Sequence, residues 1–126
     1  MSRNVLVVDD SMLIRHTVCR YLEGIGYTVE AATNGQEALD LLQDGEYQPD
    51  LIVTDMQMPK ISGSELITAL KEKPATREIP IVILAGKKTS TDEPQETRAN
   101  YTIYKDIDIE VQLKKALAAA LSSPAQ

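Results

Sequence analysis

Tryptophan and phenylalanine are absent from the 126-residue sequence, and five tyrosines are its whole aromatic complement. The core must therefore be assembled from Val, Ile, Leu, Met and Ala, and platforms for stacking single-stranded bases have few candidates. The only cysteine, Cys19, excludes an internal disulfide and suits a reducing compartment. Basic residues are in deficit, 13 against 19 acidic ones for a formal net charge of −6, and such a field repels phosphate backbones. No apolar run approaches the length of a membrane span. The segment Val5 to Val8 is too short for a signal peptide, which needs about 7–15 apolar residues. The expectation is a cytoplasmic chain that binds neither nucleic acid nor membrane. At roughly 100–200 residues per domain the length allows one domain, expected over 1–121, with 122–126 a tail or the start of a linker.

The run from Asn4 to Val8 is apolar on both faces and rich in β-branched residues, as in a strand of a parallel sheet. Leu51–Thr54 and Ile81–Leu84 read the same way, with weaker strands at Thr28–Ala32 and Thr102–Tyr104. Ser11 is placed to cap a helix with Ile14, Val18, Tyr21, Leu22 and Ile25 inward, ended by Gly24 and Gly26. Asn34-Gly35 opens a second helix with Ala38, Leu41 and Leu42 inward, closing near Gly45. Ser62 and Glu65 form a capping box for a third, which must stop before Pro74. Residues 86–100 are polar, contain Pro94 and offer no apolar stripe, so a fourth helix there is expected to be short or irregular. Asp108 caps a last helix with Ile109, Leu113, Ala116, Leu117, Ala120 and Leu121 in helical register. The alternation predicts an α/β fold: a doubly wound, five-stranded parallel sheet of flavodoxin-like order 2-1-3-4-5, with helices on both faces.

In such sheets ligands bind beyond the carboxyl ends of the strands, where the strand order reverses. The first strand runs into Asp9-Asp10, the third into Asp55, the fourth into Ala85-Gly86 and the fifth into Lys105. Three carboxylates crowded together repel one another unless a cation joins them, and oxygen ligands without histidine or thiolate suit Mg²⁺ or Mn²⁺. Phosphoryl transfer asks a protein mainly for positioning and charge neutralisation, which a metal, an ammonium and the backbone N–H groups of Met56 and Gly86 could supply.

Val-Val-Asp9-Asp10, Asp55-Met-Gln-Met-Pro59, Gly63 and Lys105 together resemble the response-regulator receiver domains, over nearly the whole chain. The resemblance implies that Asp55 accepts a phosphoryl group from a phosphohistidine on a sensor histidine kinase or phosphotransfer domain. It implies Mg²⁺ held directly by Asp10, Asp55 and the main-chain carbonyl of Gln57, with Asp9 acting largely through water. Lys105 would pair with Asp55 and then with its phosphoryl oxygens, and output would pass to a downstream protein or an attached effector domain. Such a chain catalyses its own phosphorylation and dephosphorylation but is not a metabolic enzyme.

Three positions depart from that pattern. Ala85 stands where receivers usually carry Thr or Ser, Thr102 where they usually carry a switching aromatic, and Asp106 where proline usually follows the lysine. A trans bond after Lys105, with some displacement of that lysine, is the expectation. A degenerate receiver that serves as a phosphorylation-independent interaction or dimerisation module is the alternative. Asp9 and Asp10 could also act only as helix caps, and His16 and Cys19, three apart on the first helix, are expected to be surface and packing residues. A haloacid-dehalogenase-type phosphatase is disfavoured because Asp9-Asp10-Ser11 has the wrong spacing, and flavin binding because no Ser/Thr/Gly phosphate loop follows the first strand.

Overall fold

A run that is apolar at odd and even positions alike can be satisfied only between two layers. In the computed structural model, which describes residues 3–43, 47–56, 61–85, 99–105 and 108–121, the sequence meets that demand with a five-stranded parallel sheet. The strands are β1 (Asn4–Val8), β2 (Thr28–Ala32), β3 (Leu51–Asp55), β4 (Ile81–Ala85) and β5 (Tyr101–Tyr104), in the order β2-β1-β3-β4-β5. Four helices are seen among the described residues: α1 (Met12–Gly24), α2 (Gly35–Leu42), α3 (Gly63–Glu72) and α4 (Ile109–Leu121).

Alternation along the strands sorts the core into two halves. Val5, Val7, Leu51, Val53, Val82, Leu84 and Ile103 pack against Val18 and Leu22 of α1 and Leu113, Ala116 and Leu117 of α4. On the other face Leu6, Val8, Ile52, Ile81 and Ile83 meet Ala38 and Leu42 of α2 and Leu66, Ile67 and Leu70 of α3. The doubly wound fold with helices on both faces is the architecture expected from the sequence.

Helix starts follow the local chemistry. Ser11 Oγ accepts from Ile14 N (3.4 Å), Asn34 Oδ1 from Glu37 N (2.9 Å) and Ser62 Oγ from Glu65 N (3.2 Å), with Glu65 Oε1 returning the bond to Ser62 N (2.9 Å). Asp108 Oδ1 accepts from Glu110 N (3.1 Å) and Val111 N (3.3 Å) at the head of α4. Two details differ from expectation. Ile25 is not part of the buried stripe of α1: it follows the last helical residue and is half exposed, and the turn is completed by Gly26 at φ +106°. Strands β3 and β4 each run one residue further than expected, through Asp55 and Ala85, and β5 begins one residue earlier, at Tyr101. The second helix ends at Leu42, ahead of the expected Gly45, which lies outside the described residues. Of the segment 86–100, where the sequence predicts a short or irregular helix, only Ala99 and Asn100 are described, and they form a bend. No helix among the described residues is long and apolar enough to cross a membrane.

Burial decides what truncation costs. Leu66 is fully buried, whereas Leu13 is 74% exposed. Leu66→Ala should lower unfolding stability by about 2–5 kcal/mol, while Leu13→Ala should stay within about 0.5 kcal/mol. Urea denaturation of both variants checks this, and equal losses would contradict the assignment of the α3 face.

Candidate functional site

The strand order reverses between β1 and β3, and the acidic residues sit at the carboxyl ends of these two neighbours. Thr54 pairs with Val8, so Asp9 and Asp55 leave the sheet side by side. Carboxylate oxygens of Asp9, Asp10 and Asp55 all lie within 4.8 Å of one another. Asp9 is fully buried, Asp55 is nearly so and Asp10 is exposed, giving a pocket with a buried floor and an open rim.

Lys105, one residue beyond β5, reaches this cluster from the other side. Its Nζ lies 2.9 Å from Asp55 Oδ1 and 3.4 Å from Asp9 Oδ2. The shorter contact is a charge-assisted hydrogen bond; the longer one is an ion pair whose geometry leaves Asp9 Oδ2 buried without a hydrogen-bond partner. Burial pulls the ammonium pKa down, but the hydrogen bond to Asp55 and the charges of Asp55 and Asp9 outweigh it, so Lys105 titrates above the ordinary lysine value. The peptide bond that follows Lys105 lies outside the described residues. Whatever its form, the ammonium reaches Asp55.

Local bonds hold the frame. Asp9 Oδ1 accepts from Ser11 N (2.8 Å), so one oxygen tightens the turn into α1 while the other faces the pocket. The cap of α1 is Ser11 and not Asp9, whose carboxylate holds the turn that leads to it. Arg15 Nη1 donates to Asp9 O (2.9 Å), a support that sequence reasoning missed, because helical spacing alone does not mark which arginine turns back toward the preceding strand. Gly63 is required by contact: its N–H donates to Met56 O (2.8 Å), and a Cβ there would meet Met56 Cα at 2.7 Å and press still harder on Asp55 O. The start of α3 therefore lies directly against the backbone that carries Asp55.

Not every expected residue joins the pocket. Met56 N–H, expected to face a phosphoryl group, instead donates to Leu84 O (3.2 Å), so that donor is spent on the sheet ladder. Gln57 and Gly86 lie outside the described residues, as does Pro59. Cys19 packs against the α1 and α4 side of the core, and burial, with the nearby Glu23 charge, pushes its thiol pKa up, which makes it a poor nucleophile.

The arrangement suits a divalent cation on chemical grounds. The donors are hard carboxylate oxygens, one ammonium faces three carboxylates, and the buried Asp9 Oδ2 lacks a hydrogen bond. A parallel sheet of this order with acids at the β1 and β3 ends and a lysine after β5 defines the class of the receivers of two-component signalling. Comparison with known proteins bears this out: the model of the response regulator receiver domain matches residues 5–118, and the chain belongs to that family. The gliding motility regulatory protein of Myxococcus xanthus is 37% identical over 110 residues, covering 85% of this chain but only 14% of that protein. The polar-differentiation response regulator DivK of Brucella anthropi is 36% identical over 93 residues, 74% of each chain. Among solved structures, the chemotaxis response regulator CheY4 of Vibrio cholerae superposes with a TM-score of 0.83 at 33% identity, covering 94% of this chain and 99% of that one.

The raised pKa of Lys105 has a pH consequence of fixed sign. The ion pair contributes fully below the unfolded lysine value of about 10.4 and fades as pH rises through the higher folded value. Wild type should lose stability relative to Lys105→Met as pH rises above about 10.4. Denaturation curves over that range check it, and a constant difference would contradict the pairing.

Proposed function

We propose that this receiver domain accepts a phosphoryl group on Asp55 in a Mg²⁺-dependent reaction with a phosphohistidine donor. The observation that carries the reading is the 2.9 Å bond between Lys105 Nζ and Asp55 Oδ1, inside a cluster of three carboxylates. An Asp55 oxygen forms a bond to phosphorus as the P–N bond of the donor breaks, and the imidazole leaves with the electron pair. Lys105 moves its ammonium from the carboxylate to the phosphoryl oxygens, where negative charge concentrates during transfer. Asp10 and Asp55 would hold the cation directly together with the Gln57 carbonyl, with Asp9 acting through water, and the cation supplies charge neutralisation when bound. The acyl phosphate formed is labile, which suits a transient signal.

The donor is a sensor histidine kinase or phosphotransfer domain, and the output passes to a downstream protein or an attached effector. Support comes from relatives of mixed build: the sensor histidine kinase CheAY of Helicobacter pylori matches at 31% identity, and this chain spans only 12% of its length. We assign 1–121 to the receiver domain, with 122–126 as tail or linker, and a cytoplasmic location; the family match over 5–118 and the lone Cys19 support these. Catalysis is confined to the domain's own phosphorylation and dephosphorylation. The paired lysine and buried acids favour this reading over a phosphorylation-independent module.

Intact-mass analysis after exposure to acetyl phosphate tests it. Wild type should gain one phosphoryl group with Mg²⁺ and Asp55→Asn none, whereas equal incorporation in the two proteins would put the acceptor elsewhere.

A further inference from the structure

Lys105 must hold its ammonium at the pocket from the position just beyond the edge strand β5, and it is followed by aspartate, which does not fix the backbone as proline would. Its own N–H donates to Ala85 O (3.0 Å). In a parallel ladder the neighbouring residue then turns its N–H and C=O away from the sheet. Those two groups belong to Tyr104, and among the described residues β5 has no strand beyond it. Left alone, they would be met only by water, and the strand end that carries Lys105 would be free to fray.

A side chain closes the edge instead. Gln112 Oε1 accepts from Tyr104 N (2.9 Å), and Gln112 Nε2 donates to Tyr104 O (2.8 Å). The carboxamide thus makes the two-point pairing that a further strand would have made. Its own backbone is fixed by α4, whose Leu113, Ala116 and Leu117 are packed into the core. A third bond, from Gln112 Nε2 to Asp108 O (3.3 Å), ties the same amide to the residue that caps α4. The start of the helix, the clamp and the strand end form one unit, directly ahead of the lysine.

We propose that Gln112 is a positioning residue for phosphoryl acceptance: by clamping the backbone of Tyr104 at the open sheet edge, it fixes the point from which Lys105 reaches Asp55. The proposal rests on the acceptor reading above. It makes a distinction that a purely structural role does not. Loosening Lys105 removes a competing cation from the carboxylates, so Mg²⁺ should bind at least as tightly while phosphoryl acceptance slows. General destabilisation would weaken both.

The test compares wild type, Gln112→Leu, Gln112→Glu and Asp55→Asn by three readouts: amide hydrogen exchange at Tyr104, Mg²⁺ affinity by calorimetry, and the rate of phosphoryl uptake from acetyl phosphate. Gln112→Leu should accelerate Tyr104 exchange, slow uptake by about three- to tenfold, the scale of a lost hydrogen bond, and leave Mg²⁺ affinity equal or raised. Gln112→Glu keeps the acceptor for Tyr104 N–H but loses the donor to Tyr104 O, and should fall between. Uptake at the wild-type rate despite faster Tyr104 exchange would overturn the proposal, as would a parallel loss of Mg²⁺ affinity and uptake. If Gln112→Leu does not unfold cooperatively, Gln112→Glu decides by the same criteria. If wild type takes up no more than Asp55→Asn, the acceptor reading fails and the role of Gln112 in acceptance falls with it, an outcome distinct from Asp55-dependent uptake that Gln112→Leu leaves unchanged.

Discussion

Everything at the functional end of this molecule depends on the repulsion among Asp9, Asp10 and Asp55 and on what offsets it. Three carboxylates within 4.8 Å of one another, one of them fully buried, are an unfavourable assembly in a folded chain. The Lys105 ammonium offsets part of that, bonded to Asp55 at 2.9 Å and ion-paired to Asp9 at 3.4 Å. A cluster with more negative than positive charge, and a buried oxygen without a hydrogen bond, suits a further cation. Function here is the use of an electrostatic imbalance that the fold tolerates at one edge.

The fold tolerates it because the stabilising contacts lie elsewhere. The buried strand residues form aliphatic layers on both faces, and the three acids stand at the carboxyl ends: Asp55 closes β3, and Asp9 and Asp10 follow β1. Parallel pairing brings the carboxyl ends of neighbouring strands together at one edge, so residues distant in sequence meet without further machinery. The close approach of Gly63 to the end of β3 fixes the backbone under Asp55, and Arg15 and Ser11 do the same for Asp9. Positioning is achieved largely by such local contacts, and Asp9 Oδ2 is left without a hydrogen bond of its own.

Much of this was legible in the sequence, for specific reasons. Two-faced apolar runs announced buried parallel strands, and Ser11, Asn34, Ser62 and Asp108 announced helix starts, because both signals are local. The convergence of Asp9, Asp10, Asp55 and Lys105 followed from strand ends in a known order. What escaped was non-local or depended on hydrogen-bond direction. Gln112 gave no signal, since a glutamine on a helix next to an apolar stripe ordinarily faces water, and its pairing with Tyr104 depends on the phase of α4 against β5. The bond from Met56 N–H to Leu84 O gave no signal for a related reason: it depends on how far the β3–β4 ladder continues. Ile25 looked helical by period, but Gly24 and Gly26 end α1 before it.

The cluster as a divalent-cation site is the claim on which the rest stands, and thermal unfolding with and without Mg²⁺ tests it most directly. A ligand that binds only the native state adds about 2.7 kcal/mol of stability at a hundredfold excess over its Kd. Wild type should rise in melting temperature with Mg²⁺, and Asp10→Ala, which removes one of the three carboxylates while sparing the Lys105 pair, should lose most of that rise. An equal rise in the two proteins would show that the ion binds somewhere else.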